Sequence, residues 1–111
     1  MIFVDYLGPA ESYQLVREAI AREVAGALRT QPSQVHVRRM VTEDDRGDLE
    51  LWVELSSEEQ LYRVGRQLAE RVSTAVRALT SGNVWVMYRV VPLSQAFLNG
   101  EPRSRGTASL E

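Results

Sequence analysis

The sequence predicts a small α/β (α+β) protein with the element order βαββαβ, in which a four-stranded mixed sheet carries two helices on one face. Four short stretches are rich in β-branched and aromatic residues, and two longer stretches repeat apolar residues every three or four positions. Each strand-helix-strand half should place its two strands parallel through a right-handed crossover. Both helices then cover the same face, and the other face of the sheet is left without cover.

The first half of the chain gives a strand, a helix and a second strand. Residues 1 to 7 form an apolar, aromatic run that ends at Gly8-Pro9, which is a break signal. Apolar residues then recur with helical spacing from about Ser12 to Arg29. Pro32 follows that helix, and residues 35 to 41 predict the second strand.

The second half repeats this pattern after a polar turn. Residues 49 to 55 alternate between apolar and polar types, which predicts a half-buried strand. Ser57 and Gln60 have the spacing of a capping box, and a helical pattern follows to Leu79, with Gly82 expected as its C-terminal cap. Residues 83 to 91 predict the fourth strand.

The chain is expected to form a single domain over residues 1 to 100, followed by a loose C-terminal tail over residues 101 to 111. A length of 111 residues suits one domain, and the end of the sequence turns small and polar. Domains of this size bury a limited apolar core. Assembly into an oligomer would therefore add useful stability.

Composition argues against several classes of function. The formal net charge of −2 gives no field that would gather nucleic acid or an anionic membrane surface. The chain has no cysteine and a single histidine, His36, so we expect no metal site and no cofactor. The first residues resemble neither a signal peptide nor a membrane span, and we expect a cytoplasmic protein.

The order of elements alone fits both a ferredoxin-like sandwich and the fold of the tautomerase superfamily. Short runs along residues 1 to 100 resemble the cis-3-chloroacrylic acid dehalogenase branch of that superfamily. These runs are Tyr6-Leu7, Ala19-Ile20-Ala21, Ala27, Leu68-Ala69-Glu70-Arg71-Val72, Val84-Trp85-Val86, Pro92 and Gln95. The resemblance implies a homotrimer whose sheets face inward, with the C-terminal segment of each subunit reaching a neighbour.

The chain departs from this family at the positions that carry its chemistry. Family members work through an N-terminal proline, whereas Met1 falls at that position and Ile2 is too bulky a neighbour for ready removal of the methionine. The other family residues are replaced as well. The histidine falls at Leu28, the two arginines near Ser57 and Gln60, the tyrosine at Met87 and the acid near Leu98. Loss of standard tautomerase and dehalogenase activity and a more apolar pocket are therefore expected.

Five residues remain as candidates for a site. The Met1 amine could act as a base or form a Schiff base, but the replacement of the family residues that would assist it favours a structural strand start. Arg38 and Arg39 are adjacent on a strand, so they point to opposite faces, and Arg39 among valines indicates an anion clamp or an ion pair between subunits. Arg89 shares a strand face with Met87 and could replace a lost anion-binding arginine, or be a surface charge.

Other polar and aromatic residues favour structural interpretations. His36 is expected at the surface or at an interface, and the two tryptophans, Trp52 and Trp85, are expected to pack, including at a trimer interface. The acidic turn over residues 43 to 45 is expected to be a solvated loop rather than a cation site.

Three functional hypotheses follow from these observations. The first is a tautomerase-superfamily protein without the catalytic proline, which binds a small anionic ligand between subunits or retains weak activity through its N-terminal amine. The second is a non-catalytic assembly subunit. The third is a ferredoxin-like dimer that binds a ligand or performs cofactor-free oxygenation. The sequence identifies no substrate.

Overall fold

A computed structural model of the chain describes residues 1–43 and 48–103. The elements follow the predicted order, with a short hairpin added at the C-terminal end. They are β1 (Ile2–Leu7), α1 (Ala10–Leu28), β2 (Val35–Met40), β3 (Leu49–Leu55), α2 (Glu58–Arg77), β4 (Val84–Val90), β5 (Phe97–Leu98) and β6 (Glu101–Pro102), with single 3₁₀ turns at Pro32–Gln34 and Leu93–Gln95.

The main sheet has the strand order β2-β1-β3-β4. β1 pairs with β2 in parallel, β3 pairs with β4 in parallel, and the two halves meet through the antiparallel pair of β1 and β3. This arrangement confirms the predicted mixed sheet and its two parallel halves. The ferredoxin-like alternative is wrong, because that fold places another strand between the parallel strands of each half, whereas β1 and β2 are direct neighbours here.

A single apolar core lies between the helices and one face of the sheet. Alternate residues of β1 and β3, such as Val4, Leu51 and Val53, point into this core and are fully buried. Val16, Ile20, Val24, Leu68, Val72 and Val76 of the helices face them and are buried as well. Burial of each such aliphatic side chain contributes about 1.5–3 kcal/mol, so the helix-covered face accounts for most of the stability of the fold.

Helix α1 begins two residues earlier than its apolar spacing predicts. Pro9 occupies the N-cap position with a φ of −62°, an angle that the proline ring already favours. The Tyr6 hydroxyl donates to the Pro9 carbonyl oxygen at 2.8 Å and ties the start of the helix to β1. At the other end, Arg29 adopts the left-handed conformation with a φ of 56°, and its N–H closes the last turn of the helix.

Helix α2 confirms the predicted start but not the predicted end. The Ser57 hydroxyl accepts a hydrogen bond from the Gln60 N–H at 3.1 Å, as expected of the N-cap. The predicted C-terminal cap at Gly82 is wrong. The helix ends at Arg77, and the N–H groups of Leu79 and Thr80 both donate to the Val76 carbonyl oxygen. Gly82 has a positive φ and lies in the loop that leads into β4.

The C-terminal segment differs from the expected loose tail at residues 101 to 103. β5 and β6 pair as a hairpin around Asn99 and Gly100, which both have positive φ, and the Arg103 N–H donates to the Ala96 carbonyl oxygen at 2.9 Å. The predicted boundary at residue 100 therefore divides a hairpin. The rest of that tail, residues 104 to 111, and the predicted turn at residues 44 to 47 lie outside the described residues.

Candidate functional site

The face of the sheet opposite the helices is referred to below as the open sheet face. It combines charged, aromatic and apolar side chains from all four strands, including both tryptophans of the chain. Its members are Phe3, Asp5, Leu7, His36, Arg38, Met40, Glu50, Trp52, Glu54, Trp85, Met87 and Arg89. Trp85 is 58% exposed, so this face presents large apolar groups to solvent in the single chain.

Asp5 lies at the centre of the open sheet face, on the central strand β1. It is only 6% exposed and is the one buried charged residue in the ranges 1–43 and 48–103. Arg38 donates from Nε and Nη2 to Asp5 Oδ1 at 2.9 and 2.7 Å, and Arg89 donates from Nη1 to Asp5 Oδ2 at 3.2 Å. A buried carboxylate is thus paired with two cations from the two outer strands, β2 and β4.

Both arginines also lie over aromatic rings of the same face. The Arg38 Cζ atom is 5.1 Å from the centroid of the Phe3 ring, and the Arg89 Cζ atom is 5.3 Å from the Trp52 ring. Each guanidinium group is therefore held between a carboxylate and a ring. This geometry keeps the two long side chains lying along the sheet.

The structure brings together three of the four predicted ligand-binding side chains. Arg38, Met87 and Arg89 share the open sheet face, whereas Arg39 lies on the helix side of β2, which confirms that the two adjacent arginines point to opposite faces. The Nε atom of Arg39 is buried and has no hydrogen-bond partner among the described residues. Arg39 pairs in register with Tyr6, at the end of β1 away from Met1.

Several elements meet at the end of the sheet where β1 begins, which we call the Met1 end. β2 also begins there, antiparallel β3 and its partner β4 end there, and α1 ends and α2 begins beside them. Met1 itself is partly exposed. Arg89 pairs in register with Glu54, one residue before the end of β3, so among the predicted arginines it lies closest to this end by register.

A cleft of about 430 Å³ lies between the end of α1 and the start of α2. Leu28 and Val64 give it apolar walls, and arginine and amide side chains complete the lining. The full set of lining residues is Ala27, Leu28, Arg29, Gln60, Arg63, Val64 and Gln67. One of its cations is already paired, because Arg63 Nη1 lies 2.5 Å from Glu59 Oε1. This lining suits a small molecule with one anionic and one apolar part.

Two residues at or near positions that the resemblance assigns to family site residues line this cleft. Leu28 and Gln60 stand on different helices, 32 positions apart in the sequence, and the fold places both at the cleft. Ser57 caps α2 just before it, whereas Met87 lies on the open sheet face and Leu98 lies on the hairpin.

Tyr88 is an ionisable group that the sequence analysis did not single out. Its hydroxyl donates to the Gly65 carbonyl oxygen of α2, and burial raises the pKa of Tyr88 to about 12. The hydroxyl therefore stays protonated at neutral pH. Its position between β4 and α2 indicates a structural role in the core.

The pairing of Asp5 also could not be located from sequence spacing, because its partners are 33 and 84 positions away. A weaker signal was present: Asp5 interrupts an otherwise apolar strand, Ile2-Phe3-Val4-Asp5-Tyr6-Leu7. A charge at such a position is rarely buried unless it is paired.

Residues 1–43 and 48–103 contain neither a metal-binding cluster nor a membrane-spanning helix. No cluster of histidine, cysteine, aspartate and glutamate there has the geometry to hold a metal ion. Neither α1 nor α2 is long and apolar enough to cross a membrane.

No protein-family model matches the chain, and no curated protein sequence matches it. Solved structures do match. A protein of unknown function from Vibrio cholerae O1 biovar eltor superposes with a TM-score of 0.74 at 14% identity, covering 92% of this chain and 87% of the other. A macrophage migration inhibitory factor-like protein from Entamoeba histolytica gives a TM-score of 0.68 at 7% identity, covering 90% and 96%.

A fused wild-type 4-OT, solved as an asymmetric trimer, superposes with a TM-score of 0.62 at 13% identity, covering 90% of this chain and 94% of the other. At these identities the similarity concerns the backbone architecture. This chain therefore has the tautomerase-like α+β fold that the macrophage migration inhibitory factor-like protein and 4-OT share.

Proposed function

We propose that this chain is a tautomerase-superfamily protein, similar to the cis-3-chloroacrylic acid dehalogenase branch, that lacks the catalytic proline and standard tautomerase or dehalogenase activity. It binds a small organic anion at the Met1 end, at a site between the subunits of a homotrimer. It works without a cofactor, in the cytoplasm. If the protein is catalytic, its activity is weak and uses the Met1 amine as the reacting group.

The cleft at the Met1 end is the observation that carries this proposal. Its walls contain Leu28, where the resemblance places the family histidine, and Gln60, near which it places one of the two family arginines. The replacement of a histidine by leucine removes an acid-base group and leaves an apolar wall. Arg29 supplies a cation at the rim, so the cleft favours binding of an anion over proton transfer to it.

The predicted ligand-binding residues lie at different distances from the Met1 end. Arg89 is the best placed, because it lies near the Met1 end and uses one guanidinium nitrogen on Asp5. Arg38 and Met87 lie one step further along the open sheet face and are proposed as contacts only from a neighbouring subunit. Arg39, on the other face and at the other end of β2, would serve a separate anion or an intersubunit ion pair.

The proposed trimer is supported by two uncovered apolar surfaces in the single chain. One is the open sheet face, and the other is the hairpin of β5 and β6, where Phe97 is 62% exposed. Large exposed apolar patches mark interaction sites. The fused 4-OT with the same fold was solved as a trimer.

The first experiment measures the intact mass and the solution mass of the natively expressed protein. We expect a trimer that retains Met1. A monomer, a dimer or a processed N-terminus would contradict the proposed assembly or the primary amine at the site.

A second experiment tests the reactivity of the Met1 α-amino group. The sequence makes chemical labelling of this group specific. All 13 basic residues are arginine and none is lysine, so the α-amino group is the one primary amine of the chain. Pyruvate and cyanoborohydride would trap an imine there as a stable adduct seen by mass spectrometry. A substantial rate of phenylenolpyruvate tautomerisation that cyanate treatment abolishes would overturn the proposed loss of tautomerase activity.

A third experiment tests the cleft with phenylpyruvate as the anionic probe. Leu28→Glu places a like charge in the cleft, and we expect at least about tenfold weaker binding by calorimetry. Leu15→Glu is the matched control, because Leu15 lies on the same helix and is 60% exposed away from the cleft. Equal binding by both variants would place the ligand elsewhere.

The second candidate function is a non-catalytic assembly subunit. The same two uncovered apolar surfaces favour it, because they predict association whether or not a ligand binds. A homotrimer that recruits no related chain on co-expression would count against a role as partner to an active paralogue.

A further inference from the structure

We propose that Asp5 is the internal counter-ion that allows the open sheet face to be buried against a second copy of this chain. This inference rests on the proposed homo-oligomer and adds the residue on which its assembly depends. The Asp5 carboxylate forms ion pairs with both arginines within one subunit, before any contact with another subunit is made.

The need for such a residue follows from the makeup of the face. Trp85 and Met40 are exposed there, Leu7 lies level with them by register, and Phe3 lies on the other side of Asp5, so the face is apolar enough to associate. Arg38 and Arg89 stand on the same surface. Burying an unpaired guanidinium costs several kcal/mol, so association through this face requires both charges to be paired.

Asp5 meets this requirement for both cations at once. Within the part of the chain that the structure describes, Arg38 and Arg89 each form an ion pair with its carboxylate. Asp5 is already desolvated in the single chain, so assembly adds little further cost at this group.

Asp5 also controls the shape of the face. Its carboxylate draws both guanidinium groups down onto the Phe3 and Trp52 rings, at 5.1 and 5.3 Å. Without that attraction, the two side chains would extend away from the sheet and occupy the space that a second copy must enter. The Asp5 carboxylate therefore both pairs the two arginines and holds their side chains flat against the sheet.

A second copy is the occupant that the chain itself favours. The β5-β6 hairpin carries Phe97 and Leu98, both well exposed, together with Pro102. A face and a hairpin that are both uncovered on one chain can cover each other between copies, in a head-to-tail contact that closes into a ring.

The decisive experiment compares Asp5→Asn with wild type by analytical ultracentrifugation and tryptophan emission. The two tryptophans both lie on the open sheet face, so their emission reports its burial directly. We expect the variant to dissociate at concentrations at least about tenfold higher than wild type and to show red-shifted emission, with unchanged far-UV circular dichroism. Glu59→Gln, which breaks the exposed Glu59–Arg63 pair on α2, is the matched control and should assemble normally.

A triple variant protects the test against simple misfolding. Asp5→Asn, Arg38→Met and Arg89→Met together remove the carboxylate and both cations, and replacement of a buried ion cluster by apolar groups is commonly neutral or stabilising. We expect this variant to recover the wild-type oligomer. Its failure to do so, for whatever reason, would overturn the inference, as would normal assembly of Asp5→Asn alone. A monomeric wild type would instead overturn the proposed function.

Discussion

The two faces of the main sheet are built from the same four strands, one residue out of step, and only one face is completed within the chain. On the helix-covered face, Leu51 and Val53 are fully buried by α1 and α2. On the open sheet face, their neighbour Trp52 lies beneath an arginine and remains partly exposed. The first face stabilises the fold, and the second remains open to solvent in the single chain.

The largest expected effect tests whether the helix-covered face carries the stability. Leu51→Ala should lower the free energy of unfolding by about 3 kcal/mol, because it removes a fully buried side chain and leaves a cavity. Urea denaturation measures it. Met87→Ala, on the neighbouring strand of the open sheet face, is the matched control and should cost much less in the dissociated chain. Similar losses of unfolding free energy for both variants would show that the two faces contribute equally to stability.

A smaller effect concerns the bond that joins β4 to α2. Tyr88→Phe removes the hydroxyl that donates to the Gly65 carbonyl oxygen and should cost about 1 kcal/mol. Tyr62→Phe on the same helix side is the control, because Tyr62 is 88% exposed and should change stability by less than about 0.5 kcal/mol. A Tyr88→Phe variant as stable as wild type would show that the bond contributes nothing.

The same hydroxyl predicts a dependence on alkaline pH. Burial raises the pKa of Tyr88 to about 12 in the folded chain, whereas the unfolded chain titrates near 10. The stabilising contribution is therefore complete below pH 10 and is lost as the pH rises from about 10 to about 12. Urea midpoints of wild type should fall more steeply there than those of Tyr88→Phe.

The smallest expected effect is on the open sheet face itself. Trp85→Thr exchanges an exposed aromatic residue for another good strand former, so the dissociated chain should lose less than about 0.5 kcal/mol. The same change should weaken association measurably in sedimentation. A large loss of monomer stability would mean that this face is already supported within the chain.

Strong periodic patterns allowed the main elements to be predicted, and weak or long-range signals account for what was missed. Residues 49 to 55 alternate so regularly that the predicted strand coincides with the observed one. The end of α2 was misjudged because its last turn closes on the Val76 carbonyl oxygen, before the glycine at position 82. The hairpin was missed although Asn99-Gly100, with both residues at positive φ, is a typical turn signal.

The candidate site was less predictable than the fold for a physical reason. Strand alternation correctly separated Arg38 from Arg39, since it depends on adjacent positions alone. The convergence of Arg38 and Arg89 on Asp5 depends on strand order, which local patterns do not encode. The cleft between Leu28 and Gln60 likewise exists only once the two helices lie side by side.

The antiparallel junction of β1 and β3 has a consequence for folding kinetics. Each parallel half joins two strands that are separated in the sequence by a single helix. The junction instead pairs Val4 with Val53, so its formation must close a longer loop that contains α1 and β2. Neither half alone can satisfy the strand edge that this junction covers. We therefore expect its formation to limit the folding rate, and substitutions in the middle of β1 or β3 to slow folding more than those in the outer strands.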